Sequence, residues 1–243
     1  MRLDVALVAR ALARSRTAGQ RLIAGGRVRV NGETVRRASS PVDDADAIDV
    51  TLDHHWVSRA ALKLVGVLDE IDPDNLLFAD GPTVLDAGAS TGGFTQVCLQ
   101  RGARLVHAVD VGHDQLDPGL RADPRVHVVE GFNLRDLTPD DLPGPVDLVV
   151  CDVSFVSVRL LLAPLLSVLK ADGDALVMVK PQFEVGRERL GNGGVVTDPR
   201  LQHEAVQVVR DDAAALGWGS SEPRPATLTG ATGNQEFFVH LRR

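Results

Sequence analysis

The sequence predicts an α/β protein in which a mainly parallel, doubly wound sheet follows a small N-terminal α+β domain. From residue 83 onward, short apolar runs alternate with segments of helical periodicity, which is typical of strands joined by crossover helices. The runs are continuous, as in residues 146–150, so both faces of each strand are expected to be covered. Residues 1–52 have shorter elements and the opposite net charge, which indicates a separate module.

The N-terminal module is predicted to begin with two helices. Apolar residues recur at helical spacing from Leu3 to Leu12, which predicts the first helix. Ser15 is expected to cap a second helix that ends at Gly25, since serine favours the first position of a helix and glycine the position beyond the last.

A short hairpin and a further strand are predicted to complete this module. Asn31-Gly32 separates two short apolar segments and is a strong signal for a two-residue hairpin turn. Another strand is expected at residues 48–52. Residues 53–57 are expected to form a linker, with Trp56 available to pin it to either domain.

The second domain, residues 58–243, is predicted to open with a helix that Ser58 caps and that runs to Ile71. Strands and helices then alternate. The predicted strands lie at residues 83–88, 104–110, 126–130, 146–152 and 174–180, and the predicted helices at about 92–101, 114–122, 157–169 and 200–216. A late strand at 236–241, joined by one near 224–229, is expected to end the domain.

The composition excludes several classes of protein. With 44% hydrophobic and 24% charged residues among 243, the chain is not mostly disordered. Two cysteines exclude a disulfide scaffold and a four-cysteine zinc site, and both lie in apolar runs, so we expect buried, reduced thiols in a cytosolic protein. Charges interrupt every apolar stretch that a membrane span or a signal peptide would need. The seven histidines show no metal-ligand spacing, so no metal is expected.

Charge is divided unevenly between the two predicted domains. Residues 1–40 hold nine arginines and two acidic residues, a net charge of +7, whereas the remaining 203 residues carry a net charge of −14. A basic module on an acidic body favours an anionic partner for the N-terminus. The alternative is a solvated surface in a chain that uses arginine, at 23 to 3, in place of lysine.

A glycine-rich loop at residues 86–93 follows the first strand of the second domain and opens a helix, so its backbone N–H groups can approach a ligand. An acid before the first glycine suits a cationic amine better than a pyrophosphate. Asp110 ends the next strand, where a carboxylate can accept two ribose hydroxyls, and Phe132-Asn133 is placed for an adenine. The pattern predicts S-adenosylmethionine, with a purely structural turn as the alternative. The residues expected to bind it are Asp86, Gly88, Ala89, Ser90, Thr91, Gly92, Gly93, Asp110, Val111, Phe132, Asn133 and Asp152.

Four ionisable residues are predicted to meet at the same edge of the sheet. Asp152 and Lys180 end two strands, Lys63 lies on the helix before the first strand, and Glu236 starts the last strand. A lysine that is buried or placed beside a second cation can lose its proton and accept the proton of an alcohol such as a ribose 2′-hydroxyl. The alternative is a buried ion-pair network that only holds strand ends. Lys170, the third lysine, is interpreted as an ordinary cation at a helix C-terminus.

The chain resembles the TlyA family, haemolysin-named ribosomal RNA 2′-O-methyltransferases with an FtsJ-like, Rossmann-like catalytic domain. The resemblance runs nearly from end to end. It is carried by Arg2-Leu3-Asp4, residues 12–16 and 26–32, Trp56 to Arg59, Asp86 to Thr95, Asp152 to Ser157, Lys180 to Gly186, Gly191 to Asp198 and Gly233 to Phe238. The N-terminal motifs are similar to the S-four (S4) RNA-binding domain of ribosomal proteins.

The resemblance implies methyl transfer from S-adenosylmethionine to a 2′-hydroxyl of ribosomal RNA, without a metal. The Lys-Asp-Lys-Glu tetrad of the family falls on Lys63, Asp152, Lys180 and Glu236. RNA phosphates are then the expected partners of the basic module. The arginines expected to contact RNA are Arg14, Arg16, Arg27 and Arg29, in a chain expected to be a monomer or a weak oligomer without membrane contact.

Three other functions stay open at this point. A membrane-active cytolysin, as the family's historical name suggests, would need an amphipathic or spanning segment, which the sequence lacks. The tetrad argues against a non-catalytic RNA-binding assembly factor, which would not need these four residues. A methyltransferase of proteins or small molecules would have no use for the basic module.

Overall fold

A computed structural model describes residues 1–10, 12–13, 16–43, 45–50 and 56–243 of the chain. It divides into one unit at Met1–His55 and a second at Trp56–Arg243. The predicted cap Ser15, the predicted RNA contact Arg14 and most of the predicted linker lie outside the described residues.

The N-terminal unit contains the helices and the hairpin that the sequence predicts. Its elements are α1 (Leu3–Ala9), α2 (Arg16–Ala24), β1 (Val28–Val30), β2 (Glu33–Thr34) and β3 (Ile48–Val50). The strands form an antiparallel sheet in the order β2-β1-β3. Asn31 and Gly32 both have positive φ, at 52° and 85°, as a two-residue turn of this hairpin requires. Buried Leu3, Leu7 and Ile23 pack this small core.

The second unit is a mixed, mainly parallel sheet with helices on both faces, as predicted. Its strands are β4 (Thr83–Ala87), β5 (Leu105–Asp110), β6 (Val126–Glu130), β7 (Val146–Cys151), β8 (Leu169–Val179), β9 (Gly219–Ser220), β10 (Arg224–Pro225) and β11 (Phe237–Arg242). Its helices are α3 (Ala60–Ile71), α4 (Gly93–Arg101), α5 (Pro118–Arg121), α6 (Arg159–Ser167), α7 (Pro181–Glu184) and α8 (Pro199–Ala215). The strand order is β10-β11-β8-β7-β4-β5-β6, with β9 paired to β11. Strands β4 to β8 are parallel to their neighbours, and β11 runs antiparallel to β8.

Two hydrophobic layers cover the sheet, because successive residues of a strand point to opposite faces. On β7, Val149 and Cys151 pack with α6 and α8, whereas Leu148 and Val150 pack with α3 and α4. This arrangement explains why the strands are continuous apolar runs. Both cysteines, Cys98 and Cys151, are buried free thiols.

Three local predictions are wrong. Lys170 does not end a helix: it lies in β8, and its amine binds the Asp147 carboxylate at 2.5 Å. The helix predicted at 114–122 is reduced to α5, because the chain before it forms a loop. Ser58 does not cap α3, since Arg59 occupies the cap position and no side chain caps it.

Within the described part of the chain, no helix is both long enough and apolar enough to cross a membrane.

Candidate active site

The candidate site lies at the carboxyl edge of the parallel strands. The loop after β4 begins at Gly88, Asp110 is the last residue of β5, and Asp152 and Lys180 directly follow β7 and β8. Asp152 N–H donates to the Ala87 carbonyl, which fixes the end of β7 against the loop after β4. These strand ends therefore bring their side chains to one edge, as the sequence predicts.

The four predicted ionisable residues form two buried ion pairs. Lys180 Nζ lies 2.6 Å from Asp152 Oδ1, and Lys63 Nζ donates to Glu236 Oε2. The two lysines and Glu236 are less than 8% exposed. Phe237 pairs with Val179 across the antiparallel strands, so Glu236 precedes β11 next to Lys180. The register thereby brings both ion pairs to the same end of the sheet.

A pocket of about 550 Å³ opens beside Asp110 and is called the Asp110 pocket below. Asp110 accepts one backbone hydrogen bond at each carboxylate oxygen, from Ser90 N–H at 2.9 Å and from Gly112 N–H at 2.7 Å. These bonds hold the carboxylate still and leave each oxygen a free lone pair for a ligand hydroxyl. The pocket is lined by Gly88, Ser90, Asp110, Val111, Gly112, Gln115, Phe132, Asn133, Leu134, Arg135, Asp152, Val153, Ser154, Phe155, Val156 and Leu161.

A smaller pocket of about 200 Å³ adjoins it and is called the Lys180 pocket. It is lined by Ser58, Arg59, Ala60, Gly88, Ala89, Ser90, Thr91, Gly93, Phe94, Asp152, Ser154 and Lys180. The two pockets share Gly88, Ser90, Asp152 and Ser154. Of the two ion pairs, Lys180–Asp152 lines this pocket, while Lys63 and Glu236 do not. A reactant in the Lys180 pocket would thus meet one amine and one carboxylate.

The predicted cofactor residues are distributed over both pockets, with two exceptions. Gly88, Ser90, Asp110, Val111, Phe132, Asn133 and Asp152 line the Asp110 pocket, and Ala89, Thr91 and Gly93 line the Lys180 pocket. Asp86 lines neither: its side chain is fully buried, and Thr95 Oγ donates to its Oδ2 at 2.6 Å. Gly92 also lines neither, and a Cβ there would collide with Leu116 and Leu120.

The pKa of Asp86 is raised to about 7, chiefly by burial; hydrogen bonds from Thr95 lower it, and the charges of Asp152 and Asp110 add to the rise. Its second oxygen, Oδ1, is buried without a hydrogen-bond partner among the described residues. A cationic group bound at this edge would favour the ionised form of this carboxyl.

The residues present fit S-adenosylmethionine. Gly88 has φ +87°, and a Cβ there would lie 2.9 Å from the Asp152 carbonyl, so only glycine lets the loop pass this close to β7. Asp110 offers two held carboxylate oxygens to a ribose. Val111 and Phe132 offer apolar surface to a base.

Sequence reasoning missed several residues of the site. Ser154 accepts a hydrogen bond from Lys180 Nζ at 2.7 Å. Phe155 is 93% exposed and has φ +64°, a conformation that a phenylalanine rarely adopts. Arg59 donates to the Thr229 carbonyl at 2.6 Å beside the Lys180 pocket. The motif Asp152-Val153-Ser154-Phe155 contained two of these residues, but no sequence signal distinguishes a pocket-lining side chain from its neighbours.

The described arginines predicted to contact RNA are all exposed in the N-terminal unit. Arg27 directly precedes β1, and Arg29 lies within it. Arg16 lies 3.2 Å from the carboxylate of Asp4, which is fully buried and also accepts from Arg2 and Gln20. These donors hold the pKa of Asp4 well below its usual range. Arg16 is therefore shared between Asp4 and solvent, with its side chain 59% exposed.

A third pocket, of about 630 Å³, lies between α8 and the β10–β11 pair. None of the predicted site residues lines it. No group of three or more metal-ligating side chains occurs among the residues that the structure describes.

Comparisons with known proteins match the two units of the chain to two different families. Residues 56–243 match the FtsJ-like methyltransferase family, and residues 1–48 match the S4 domain. The chain is 46% identical over 243 residues to the 16S/23S rRNA (cytidine-2′-O)-methyltransferase TlyA of Mycobacterium tuberculosis, covering 99% of this chain and 89% of the relative. It is 33% identical over 245 residues to Hemolysin A of Brachyspira hyodysenteriae, covering 99% of each. A solved structure from Streptococcus thermophilus, titled as a hemolysin, aligns with a TM-score of 0.74 and 36% identity over 100% of this chain and 88% of its own.

Proposed function

Since this chain belongs to the FtsJ-like methyltransferase family, we propose that it transfers a methyl group from S-adenosylmethionine to a ribose 2′-hydroxyl of ribosomal RNA. The observation that carries the proposal is the Lys180–Asp152 ion pair, which lies where the Asp110 and Lys180 pockets meet. An amine at such a junction can act on a hydroxyl in one pocket beside a donor held in the other. The TlyA relative, which is named for cytidine 2′-O-methylation, supports the same acceptor.

The Asp110 pocket is proposed to hold the cofactor. Asp110 would accept the two ribose hydroxyls, and Phe132, Asn133 and Val111 would surround the adenine. When bound, S-adenosylmethionine supplies a methyl group on a sulfonium, whose departure leaves a neutral thioether. Gly88 lines both pockets, so the two adjoin at this loop.

Lys180 is proposed to be the general base. A ribose hydroxyl is a poor acid, so its oxygen becomes a good nucleophile only when a base takes the proton as the new bond forms. The Lys180 amine lines the pocket of the acceptor and would accept that proton. Asp152, at 2.6 Å, would orient the amine and balance the charge that the proton brings.

Lys63 and Glu236 complete the proposed tetrad. Their ion pair is buried and lines neither pocket. Breaking a buried pair leaves an uncompensated charge, which costs about 3–5 kcal/mol. We therefore assign Lys63 and Glu236 to positioning the strand ends around Lys180, rather than to proton transfer.

The N-terminal unit is proposed to bind the RNA. It matches the S4 domain, and its excess of arginine suits phosphate contacts, which position an RNA without reading its sequence. Arg14, Arg16, Arg27 and Arg29 remain the proposed contacts. With ribosomal RNA as the proposed substrate, the activity is proposed to be cytoplasmic.

Substitution of the proposed base tests the function directly. Lys180→Ala should lower methyl transfer to ribosomal RNA by at least about 100-fold, because a general base contributes about 10²–10⁴-fold, while cofactor affinity stays within a few-fold of wild type. The measurement is transfer of a labelled methyl group to ribosomal RNA from cells that lack the protein, with the modified nucleotide mapped.

Lys170→Ala is the matched control. It also removes a lysine paired with an aspartate, but one in β8 away from both pockets, so its rate should equal that of the wild type. A Lys180→Ala enzyme with a near-normal rate would show that the base is wrongly assigned. Transfer to the matching DNA, which has no 2′-hydroxyl, would overturn the proposed acceptor.

A further inference from the structure

Ser154 contacts the same amine as Asp152, from two residues further along the same loop. Lys180 Nζ donates to Ser154 Oγ at 2.7 Å and lies 2.6 Å from Asp152 Oδ1. One loop therefore supplies two oxygen atoms to a single lysine amine. The hydroxyl of Ser154 donates to no acceptor among the described residues, so its bond with Lys180 is its one assigned contact.

The number of acceptors matters for an amine that must accept a proton. A charged lysine amine has three hydrogens, and its neutral form has two hydrogens and one lone pair at the corners of a tetrahedron. With one acceptor, the neutral amine can still rotate about its last carbon–nitrogen bond. With Ser154 accepting one hydrogen and the Asp152 carboxylate, 2.6 Å from the nitrogen, attracting the other by its charge, the lone pair is confined to the remaining corner.

The confined lone pair assists the reaction only if it points toward the reactant. Lys180 is only 7% exposed, and the surface it does expose lines the Lys180 pocket together with Asp152 and Ser154. Ser154 lines the Asp110 pocket as well, so the hydroxyl lies at the junction of the two. The open direction of the amine is thus the pocket proposed for the acceptor.

The loop is held in place independently of the Ser154 side chain. Val153 is buried in the hydrophobic layer of α6 and α8. Glu184 accepts hydrogen bonds from Ser157 Oγ at 2.5 Å and from Val158 N–H at 2.9 Å. Ser154 itself is exposed, so removing its hydroxyl should leave the loop and the fold intact.

We propose that Ser154 is a positioning residue that directs the lone pair of the Lys180 amine toward the hydroxyl to be methylated. This inference rests on the proposed function. It adds to the Lys-Asp-Lys-Glu tetrad a fifth group, whose role is orientation.

The test compares Ser154→Ala, Ser154→Thr and the matched control Ser221→Ala, which removes a hydroxyl outside both pockets, with wild type and Lys180→Ala. Steady-state methylation of ribosomal RNA gives kcat and KM, and calorimetry gives the affinity for S-adenosylmethionine. Ser154→Ala should lower kcat by about 10- to 100-fold, the loss typical of a misplaced reacting group, with KM and cofactor affinity within about two-fold of wild type. Ser154→Thr, which keeps the hydroxyl, should recover most of the rate.

The outcomes separate this inference from the function beneath it. A wild-type enzyme without activity on ribosomal RNA, or an active Lys180→Ala enzyme, would overturn both. If wild type is active and Lys180→Ala is not, then a Ser154→Ala enzyme with normal kcat would overturn the role of Ser154 alone. So would a folded Ser154→Thr enzyme as slow as Ser154→Ala, or a loss confined to KM.

Discussion

Asp86 combines a buried carboxyl group with a position next to the candidate site. It lies within β4, accepts a hydrogen bond from Thr95 and has no solvent exposure. Burial raises its pKa to about 7. Between about pH 4 and pH 7, the folded chain therefore keeps a proton on this carboxyl group that the unfolded chain has released. The wild type should therefore lose stability as pH rises from about 4 to about 7, the window between the unfolded and folded pKa values.

Asp86→Asn isolates this effect because asparagine does not titrate. Relative to wild type, the variant should gain stability across that window, by at most about 1.4 kcal/mol per pH unit, and the difference should level off above it. The measurement is urea unfolding of both proteins at intervals from pH 4 to pH 8. A difference in the free energy of unfolding that is constant with pH would contradict the assigned burial of a protonated carboxyl.

At the scale of single residues, the sequence predicts those groups whose position follows from the ends of strands. Asp152 and Lys180 are such groups, because parallel strands end at one edge whatever the details of packing. Asp86 and Ser154 are not. Successive side chains of β4 point to opposite faces of the sheet, and the side chain of Asp86 contacts Thr95 and lines neither pocket. The contact of Ser154 with Lys180 depends on the path of a loop, which has no repeating sequence pattern from which it could be predicted.

At the scale of elements, Glu184 links α7 to the loop after β7. The carboxylate accepts from Ser157 and Val158, which directly precede α6, and burial raises its pKa. The link ties the element after Lys180 to the loop after Asp152. Both sides of the Lys180–Asp152 ion pair are thereby held by a contact outside the pockets.

Glu184→Ala should destabilise the protein by about 1–3 kcal/mol, because it leaves buried donors without an acceptor. Cofactor affinity should also fall, since the freed loop lines the Asp110 pocket. Thermal unfolding and calorimetric titration of S-adenosylmethionine measure the two effects. Ser157→Ala removes one of the two bonds and should have the smaller effect on both, and equal effects would argue against the proposed link.

Element boundaries were predictable where hydrophobic burial determines them. Strands β4, β5 and β7 lie within one residue of their predicted ends, because most of their residues are buried. The helix predicted at 114–122 is mostly absent because residues 111–117 form a loop, part of which lines the Asp110 pocket. The prediction for Lys170 is wrong because β8 begins five residues before the predicted strand. This added segment also pairs with β7, beyond a shift in the register between the two strands.

At the scale of the whole molecule, charge separates the two units more clearly than hydrophobicity does. Residues 1–40 carry a net charge of +7 in a chain whose total is −7. An acidic body repels RNA at long range, whereas the basic unit attracts it. Binding should therefore depend on the N-terminal unit and should weaken steeply with salt.

Arg27→Ala together with Arg29→Ala should lower the affinity for ribosomal RNA and reduce the slope of log K against log salt. Each lost phosphate contact should lower the slope by about 0.7 to 0.9. Filter binding or fluorescence anisotropy over a salt series measures both quantities. Arg121→Ala with Arg125→Ala, two arginines of the second unit paired with Glu130 and Asp123, is the matched control and should leave the slope unchanged. Equal slopes for the two double variants would mean that RNA contacts are not concentrated in the N-terminal unit.

Lys63 and the carboxylate that neutralises it lie 173 residues apart along the chain. Contacts so distant in sequence form only after most of the intervening polypeptide has been ordered, because loop closure must be offset by packing. A partly folded molecule would hold an unpaired cation where the native protein holds an ion pair. If Lys63 and Glu236 position the strand ends around Lys180 as proposed, methyl transfer should appear only once the native topology is complete.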